Sequence, residues 1–277
     1  MLKARVITAL VLLALLLPSL FLLPQSGWAL LMAAVVGIAA WEWGGLLAWH
    51  SGARLWLGGV VALVCAALSL FDPLALGVGG FAPSAPWVWL AYLLSAAFWS
   101  LLVPFWLRAK WRLHGGSGLL VGAILLFPTW LAMVQLRALG PGVLLAVLAV
   151  VWVADIAAYF AGRTFGKHKL APNISPGKTW EGAVGAVCGV LAYGFAVPAL
   201  VGIELLPAPA WALLLLAVTA VSIVGDLVES MLKRLAGIKD SSNILPGHGG
   251  VLDRIDSLTS TLPLAALSWL LFIHTSP

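Results

Sequence analysis

The chain has 277 residues, of which 62% are hydrophobic and 9% charged, against about 25% charged in an ordinary soluble domain. This excludes a soluble globular enzyme, and it excludes intrinsic disorder, which needs low hydrophobicity and high net charge. The formal charge of +5 would point a soluble protein toward nucleic acid; in a bilayer the excess of Lys and Arg sets topology instead, and no nucleic-acid partner is expected.

A membrane helix needs about 20 mainly apolar residues. Cutting the chain where charges, Pro and Gly cluster predicts about nine spans, over residues 6–23, 28–48, 55–71, 87–107, 119–136, 143–161, 180–200, 209–228 and 258–273. The fold expected is all-α, a polytopic transmembrane bundle. The first span, behind Lys3 and Arg5, reads as an uncleaved helix, because its apolar run is long and no small-x-small site precedes Trp28. Cys65 and Cys188 sit in apolar runs and read as small hydrophobes. Trp28, Trp49, Trp56, Trp87, Trp89, Trp106 and Trp111 fall near span ends, where interfacial anchors belong. Residues 72–86 read as an outer surface loop.

With an odd number of spans the termini fall on opposite sides. A cytoplasmic N-terminus places every Lys and Arg on that side except Arg137, which selects the orientation. Apart from Glu42 and Asp72, all Asp and Glu residues lie beyond residue 150. The chain therefore reads as two halves: residues 1–142, for packing and lipid contact, and residues 143–277, for chemistry, with cytoplasmic loops at 162–179 and 229–257. Glu42 and Glu204 read as lying outside the chemistry.

Ionisable residues within a span are costly and mark functional paths. Asp155 and Asp226 are the deepest. After Asp155 comes a basic, glycine-containing loop with Arg163, Lys167 and Lys169, then Ser175, Lys178 and Thr179 at the start of the seventh helix. That is a phosphate site at a helix N-terminus or a surface that attracts anionic lipid. Asp226, Glu229, Ser230 and Lys233 share one helical face. The polar segment 238–257 follows, with Asp253 and Asp256 three apart and His248 between glycines. Oxygen ligands without paired His or Cys favour Mg2+ over Zn2+, and Mg2+ beside Lys and Arg suits phosphoryl or nucleotidyl transfer.

Four stretches carry a family resemblance: DIAAYFAGR at Asp155–Arg163, SPGKTWEG at Ser175–Gly182, GDLVES at Gly225–Ser230, and SMLKR at Ser230–Arg234 followed by KDSSNILPGHGGVLDRID at Lys239–Asp256. Together they resemble the signature of the phosphatidate cytidylyltransferases, or CDP-diacylglycerol synthases. Gly177 stands where that family more often has a second lysine, and Ser242 where it often has glycine. The resemblance implies that CTP and phosphatidic acid give CDP-diacylglycerol and pyrophosphate, with membrane lipid as a partner; the Lys and Arg bias puts the site at the cytoplasmic face, and the compact size of the chain points to a bacterial inner membrane. It implies Mg2+ ligands at Asp226 and Asp253, supported by Asp256 and Glu229. Lys178, Lys239 and Arg254 would hold phosphates, as would Lys167, Lys169, Lys233 and Arg234 more weakly. His248 would orient a phosphate or carboxylate, Ser175 and Thr179 would donate to phosphate oxygens, and Asp155 would line the substrate site. An ion-coupled transporter and a CTP-dependent lipid kinase are the alternatives, and a homodimer is open.

Overall fold

The computed structural model describes residues 2–202 and 206–275; Glu204, expected on the outer side, falls outside them. Its helices are α1 (Leu2–Leu22), α2 (Gln25–Leu46), α3 (Ser51–Phe71), α4 (Pro86–Ala97), α5 (Val103–Ala109), α6 (Gly115–Ala138), α7 (Pro141–Phe165), α8 (Trp180–Val201), α9 (Ala208–Leu235), the short α10 (Leu252–Ile255) and α11 (Leu258–Thr275). Among the described residues eight helical stretches are long and apolar enough to cross a membrane, and α11 adds a shorter apolar one over Leu258–Phe272. The chain is thus an all-α polytopic membrane protein. The fourth predicted span is α4 and α5 joined by a π-helical turn, Phe98–Leu102. That turn buries Phe98 and Trp99, and the Trp99 indole donates to the Thr259 carbonyl at 3.2 Å.

Helices in lipid gain little from the hydrophobic effect between them, so they approach through small residues. Gly37 on α2 and Gly58 on α3 do this: a Cβ on Gly58 would stand 2.7 Å from the Gly37 carbonyl oxygen. Gly182, Gly185 and Gly189 let α8 lie against Ala157, Ala158 and Ala161 of α7 in the same way. The basic loop between α7 and α8 is partly regular: β1 (Lys169–Ala171) and β2 (Ser175–Thr179) form an antiparallel hairpin pairing Lys169 with Thr179.

The tryptophans divide. Trp56 and Trp111 are exposed as interfacial anchors would be, whereas Trp28 and Trp106 are buried. Their indoles staple backbone instead: Trp28 donates to the Met133 carbonyl at 3.0 Å and Trp106 to that of Trp111 at 2.8 Å. Leaving a buried indole N–H unsatisfied would cost about 1–3 kcal/mol, so each fixes one helix against another segment. Cys65 is buried as expected, but Cys188 faces outward.

Arg137, the one basic residue expected outside, is buried at the end of the bundle where α1 and α6 finish. It donates to the carbonyls of Leu20 and Leu23 and, at 2.8 Å, to Gln25 Oε1. Gln25 in turn donates to the carbonyls of Leu76 and Val134. At the opposite end, Thr8 near the start of α1 donates to the Pro246 carbonyl at 2.8 Å. Replacing Arg137 with Met removes three charge-assisted bonds, each worth about 1.5–3 kcal/mol. The expected outcome is a clearly lower thermal unfolding midpoint in detergent, read by intrinsic tryptophan fluorescence.

Candidate active site

The α7 helix ends at Phe165, the chain reverses through the hairpin, and Thr179 restarts it by accepting the Gly182 amide at 3.1 Å as the N-cap of α8. Between α7, the hairpin, α8 and α9 lies a cavity of about 500 Å³. Asp155, Tyr159, Arg163, Ser175, Lys178, Thr179 and Asp226 supply its polar wall, and Ala154, Ala158, Ala186 and Ile223 part of its apolar one. Lys178 Nζ is 2.6 Å from Asp226 Oδ2 and also reaches the Ile223 carbonyl at 3.4 Å. Both side chains keep about a quarter of their surface open, at 25% and 29%.

One helical turn after Asp226, a second and drier group begins. Lys233 Nζ bridges Glu229 Oε2 at 3.1 Å and Asp253 Oδ1 at 2.6 Å. Asp253 Oδ2 accepts the Ser241 amide, the Ser241 hydroxyl and the Gly250 amide at 2.8, 2.9 and 2.7 Å. Burial works against the charge of Asp253, but the Lys233 ammonium and these donors outweigh it and hold the carboxyl below the usual carboxylate range. Asp256 is different: burial first, and the nearby Asp226 charge second, push it up to about 6. Its carboxyl lies within hydrogen-bonding reach of Glu229. Glu229 Oε1 is itself buried with no partner among the described residues. A cavity of about 20 Å³ touches both Glu229 and Asp256.

The structure therefore brings Asp155, Ser175, Lys178, Thr179 and Asp226 to one cavity, and Glu229, Lys233, Asp253 and Asp256 to the group beside it. Lys167 and Lys169 stay exposed on the hairpin side, and Arg234, Lys239 and Arg254 are exposed near the ends of α9 and α10. His248 is half-buried; its backbone amide donates to the Leu245 carbonyl, and its Nδ1 is buried without a partner among the described residues. Among the described residues no three His, Cys, Asp or Glu side chains converge as a metal cage; Lys178 takes one oxygen of Asp226, and Lys233 one each of Glu229 and Asp253. Tyr159 and Arg163 join the cavity wall, with Arg163 donating to the Tyr159 hydroxyl at 2.9 Å.

Glu42, read as lying outside the chemistry, nevertheless touches the loop that leads to Asp253. It is fully buried and accepts hydrogen bonds from Ser241, Ser242, Val251 and Leu252. A lone acid in an apolar span is a functional signal by itself, but its partners here are hydroxyls and backbone amides, which leave no charge pattern in the sequence.

The cytidylyltransferase family model matches residues 3–272. The chain is similar to the phosphatidate cytidylyltransferase of Pseudomonas aeruginosa, 46% identical with 97% of each chain covered. It is also similar to that of Haemophilus influenzae, at 38% over 95% of this chain and 96% of the other. Against that of Brucella suis it is 50% identical over 127 residues, 45% of each chain.

The backbone at Gly249 and Gly250 runs close to these carboxylates because it carries no side chain there. Gly249 is in the left-handed region (φ +79°), and a Cβ there would stand 2.5 Å from Asp253 Oδ2. Gly249→Ala combines a left-handed strain of about 1–2 kcal/mol with displacement of Asp253. It should cost at least about tenfold in activity, together with a lower unfolding midpoint; unchanged turnover would show that the Asp253 position is not critical.

Proposed function

Because the chain belongs to the cytidylyltransferase family, we propose that it joins CTP to phosphatidic acid, giving CDP-diacylglycerol and pyrophosphate. The observation that carries this reading is the Lys178–Asp226 pair on the wall of a cavity lined by both charged and apolar side chains. A nucleoside triphosphate needs the charged groups and a lipid phosphate needs the apolar ones as well. Such a cavity at the end of a helical bundle can admit one substrate from water and the other from the leaflet.

In the reaction a phosphate oxygen of phosphatidate forms a bond to the α-phosphorus of CTP. The bond from that phosphorus to the oxygen bridging to the β-phosphate breaks, and its electron pair leaves on pyrophosphate. The attacking oxygen is already anionic at neutral pH, so no strong base is required. The work left to the protein is positioning and charge stabilisation. Lys178, held by one carboxylate and one carbonyl, can turn toward an entering phosphate. Arg163, at the exposed rim with Tyr159, can meet the second. Thr179 keeps its oxygen on the Gly182 amide and has its hydroxyl proton to donate.

Mg2+ fits the donor chemistry: Asp226, Asp253, Asp256 and Glu229 offer only hard oxygen, and the buried Glu229 Oε1, which accepts no hydrogen bond from a donor among the described residues, lies in the same group as Asp256. When bound, the ion would offset the charge of the triphosphate. The cavity shares its end of the bundle with the start of α1 and with the basic hairpin; by the excess of positive charge we assign that end to the cytoplasm, in a bacterial inner membrane.

Purified protein given labelled CTP, phosphatidate and Mg2+ should convert the label to lipid-extractable cytidine; chelation with EDTA should stop this and added Mg2+ restore it. Asp226→Asn and Asp253→Asn should each lower turnover by about 100-fold or more while the protein still elutes as a folded species. Absence of labelled lipid from the unmodified protein would overturn the reading.

A further inference from the structure

We propose that Glu42, on α2 of the N-terminal half, is a positioning residue that holds the 241–252 loop in the form that presents Asp253 to the reaction. This rests on the cytidylyltransferase reading. Glu42 is 0% exposed, and no lysine or arginine faces it in an ion pair among the described residues. A buried carboxylate without a cation is tolerable only when donors satisfy it fully, and all four of its donors come from this loop. Oε1 accepts the Ser242 hydroxyl at 2.6 Å and the Val251 amide at 3.0 Å; Oε2 accepts the Leu252 amide at 2.6 Å and the Ser241 hydroxyl at 3.2 Å.

The anchor is rigid. Trp43, the next residue on α2, is buried and donates its indole N–H to the Gly118 carbonyl of α6 at 2.9 Å. Gly122 leaves the room that this indole fills, since a Cβ there would stand 2.5 Å from its nitrogen. The loop, in contrast, has no regular helix or strand between α9 and α10; its backbone bonds tie Leu245 to His248 and Gly249 and leave the amides of Ser241, Val251 and Leu252 to be held by side chains. Glu42 grips it at both ends of the turn, at 241–242 and at 251–252.

Ser241 links the grip to the reacting group. Its hydroxyl stands 3.2 Å from Glu42 and 2.9 Å from Asp253 Oδ2, with one proton to share between them, and its amide donates to the same Asp253 oxygen at 2.8 Å. Gly250 passes between the two carboxylates with no space for a side chain: a Cβ there would overlap both the Ser241 hydroxyl and Glu42 Oε1. Shifting the loop off Glu42 therefore moves the donors of Asp253 as well.

Each oxygen of Glu42 faces one backbone amide, which can only donate, and one hydroxyl, which can turn, so the site favours an acceptor-only side chain. Glutamine has the same size but, in either orientation, would aim its NH2 at one of the two amides. In the full-length, detergent-solubilised protein, Glu42→Gln should lower kcat by about 100-fold. The KM for CTP should change by less than about threefold, because the Lys178 cavity is untouched. Hydrogen–deuterium exchange should quicken in residues 241–252 and stay unchanged in α7 and α8. Glu42→Asp, which keeps the acceptors on a shorter stem, should restore part of kcat. Should Glu42→Gln fail to fold, Ser242→Ala removes a single donor and should give a several-fold fall in kcat with the same local exchange. Wild-type kcat in the soluble variant, or faster exchange spread evenly through the bundle, would overturn the proposal. The exchange readout needs no turnover, so it separates failure of the positioning role from failure of the assigned reaction.

Discussion

A charge buried in an apolar bundle must be matched group by group, and the Lys233–Asp253 pair at 2.6 Å is where this protein meets that constraint. Removing Lys233 would leave the buried Asp253 without its cation, at a cost of about 3–5 kcal/mol. The pair fixes the C-terminal end of α9 to the start of α10, and Glu229 completes it from one turn before. Because Asp253 also collects the Ser241 and Gly250 donors, the intervening loop must fold back on itself. The glycines at 247, 249 and 250, two of them with positive φ, are what permit that path.

The spans were legible because a bilayer imposes a length and a composition that few other constraints imitate. Helix boundaries in the structure fall within a few residues of the predicted ones for most spans. The π turn at Phe98–Leu102 was not legible, since it widens one helical turn without changing hydropathy. The hairpin at 169–179 was hidden for a related reason: its strands are three and five residues long, too short for a period-two pattern. Buried tryptophans such as Trp28 were mistaken for anchors because position along a span says where a residue lies in depth, not which way it faces.

For the site, the conjunction of Asp226, Lys178, Lys233 and Asp253 was visible in charge spacing, but their pairings were not. Helical spacing puts Lys233 beside Glu229; only the fold shows that it also closes on Asp253. The contacts of Glu42 were not legible, because the uneven distribution of acids suggests a packing half and a chemical half. The two halves meet at this residue, where neutral donors from the second satisfy a carboxylate from the first.

The two lysines separate along the same lines. Lys233 is 14% exposed and held by two carboxylates; Lys178 is 25% exposed and held by one carboxylate and a long bond to a carbonyl. Coulombic attraction grows as water is excluded, so Lys233 is the harder of the two to detach. Its exchange of partners would also uncover Asp253 and loosen the loop. Lys178 can leave Asp226 at smaller cost, because both groups regain water at the cavity wall. Asp226 and Glu229 lie one turn apart on α9, so the helix joins a fixed group, which keeps the loop in shape, to a releasable one, which can follow an anionic substrate. A site that handles a triphosphate at the edge of a bilayer needs both, and the difference in burial across a single turn of α9 supplies them.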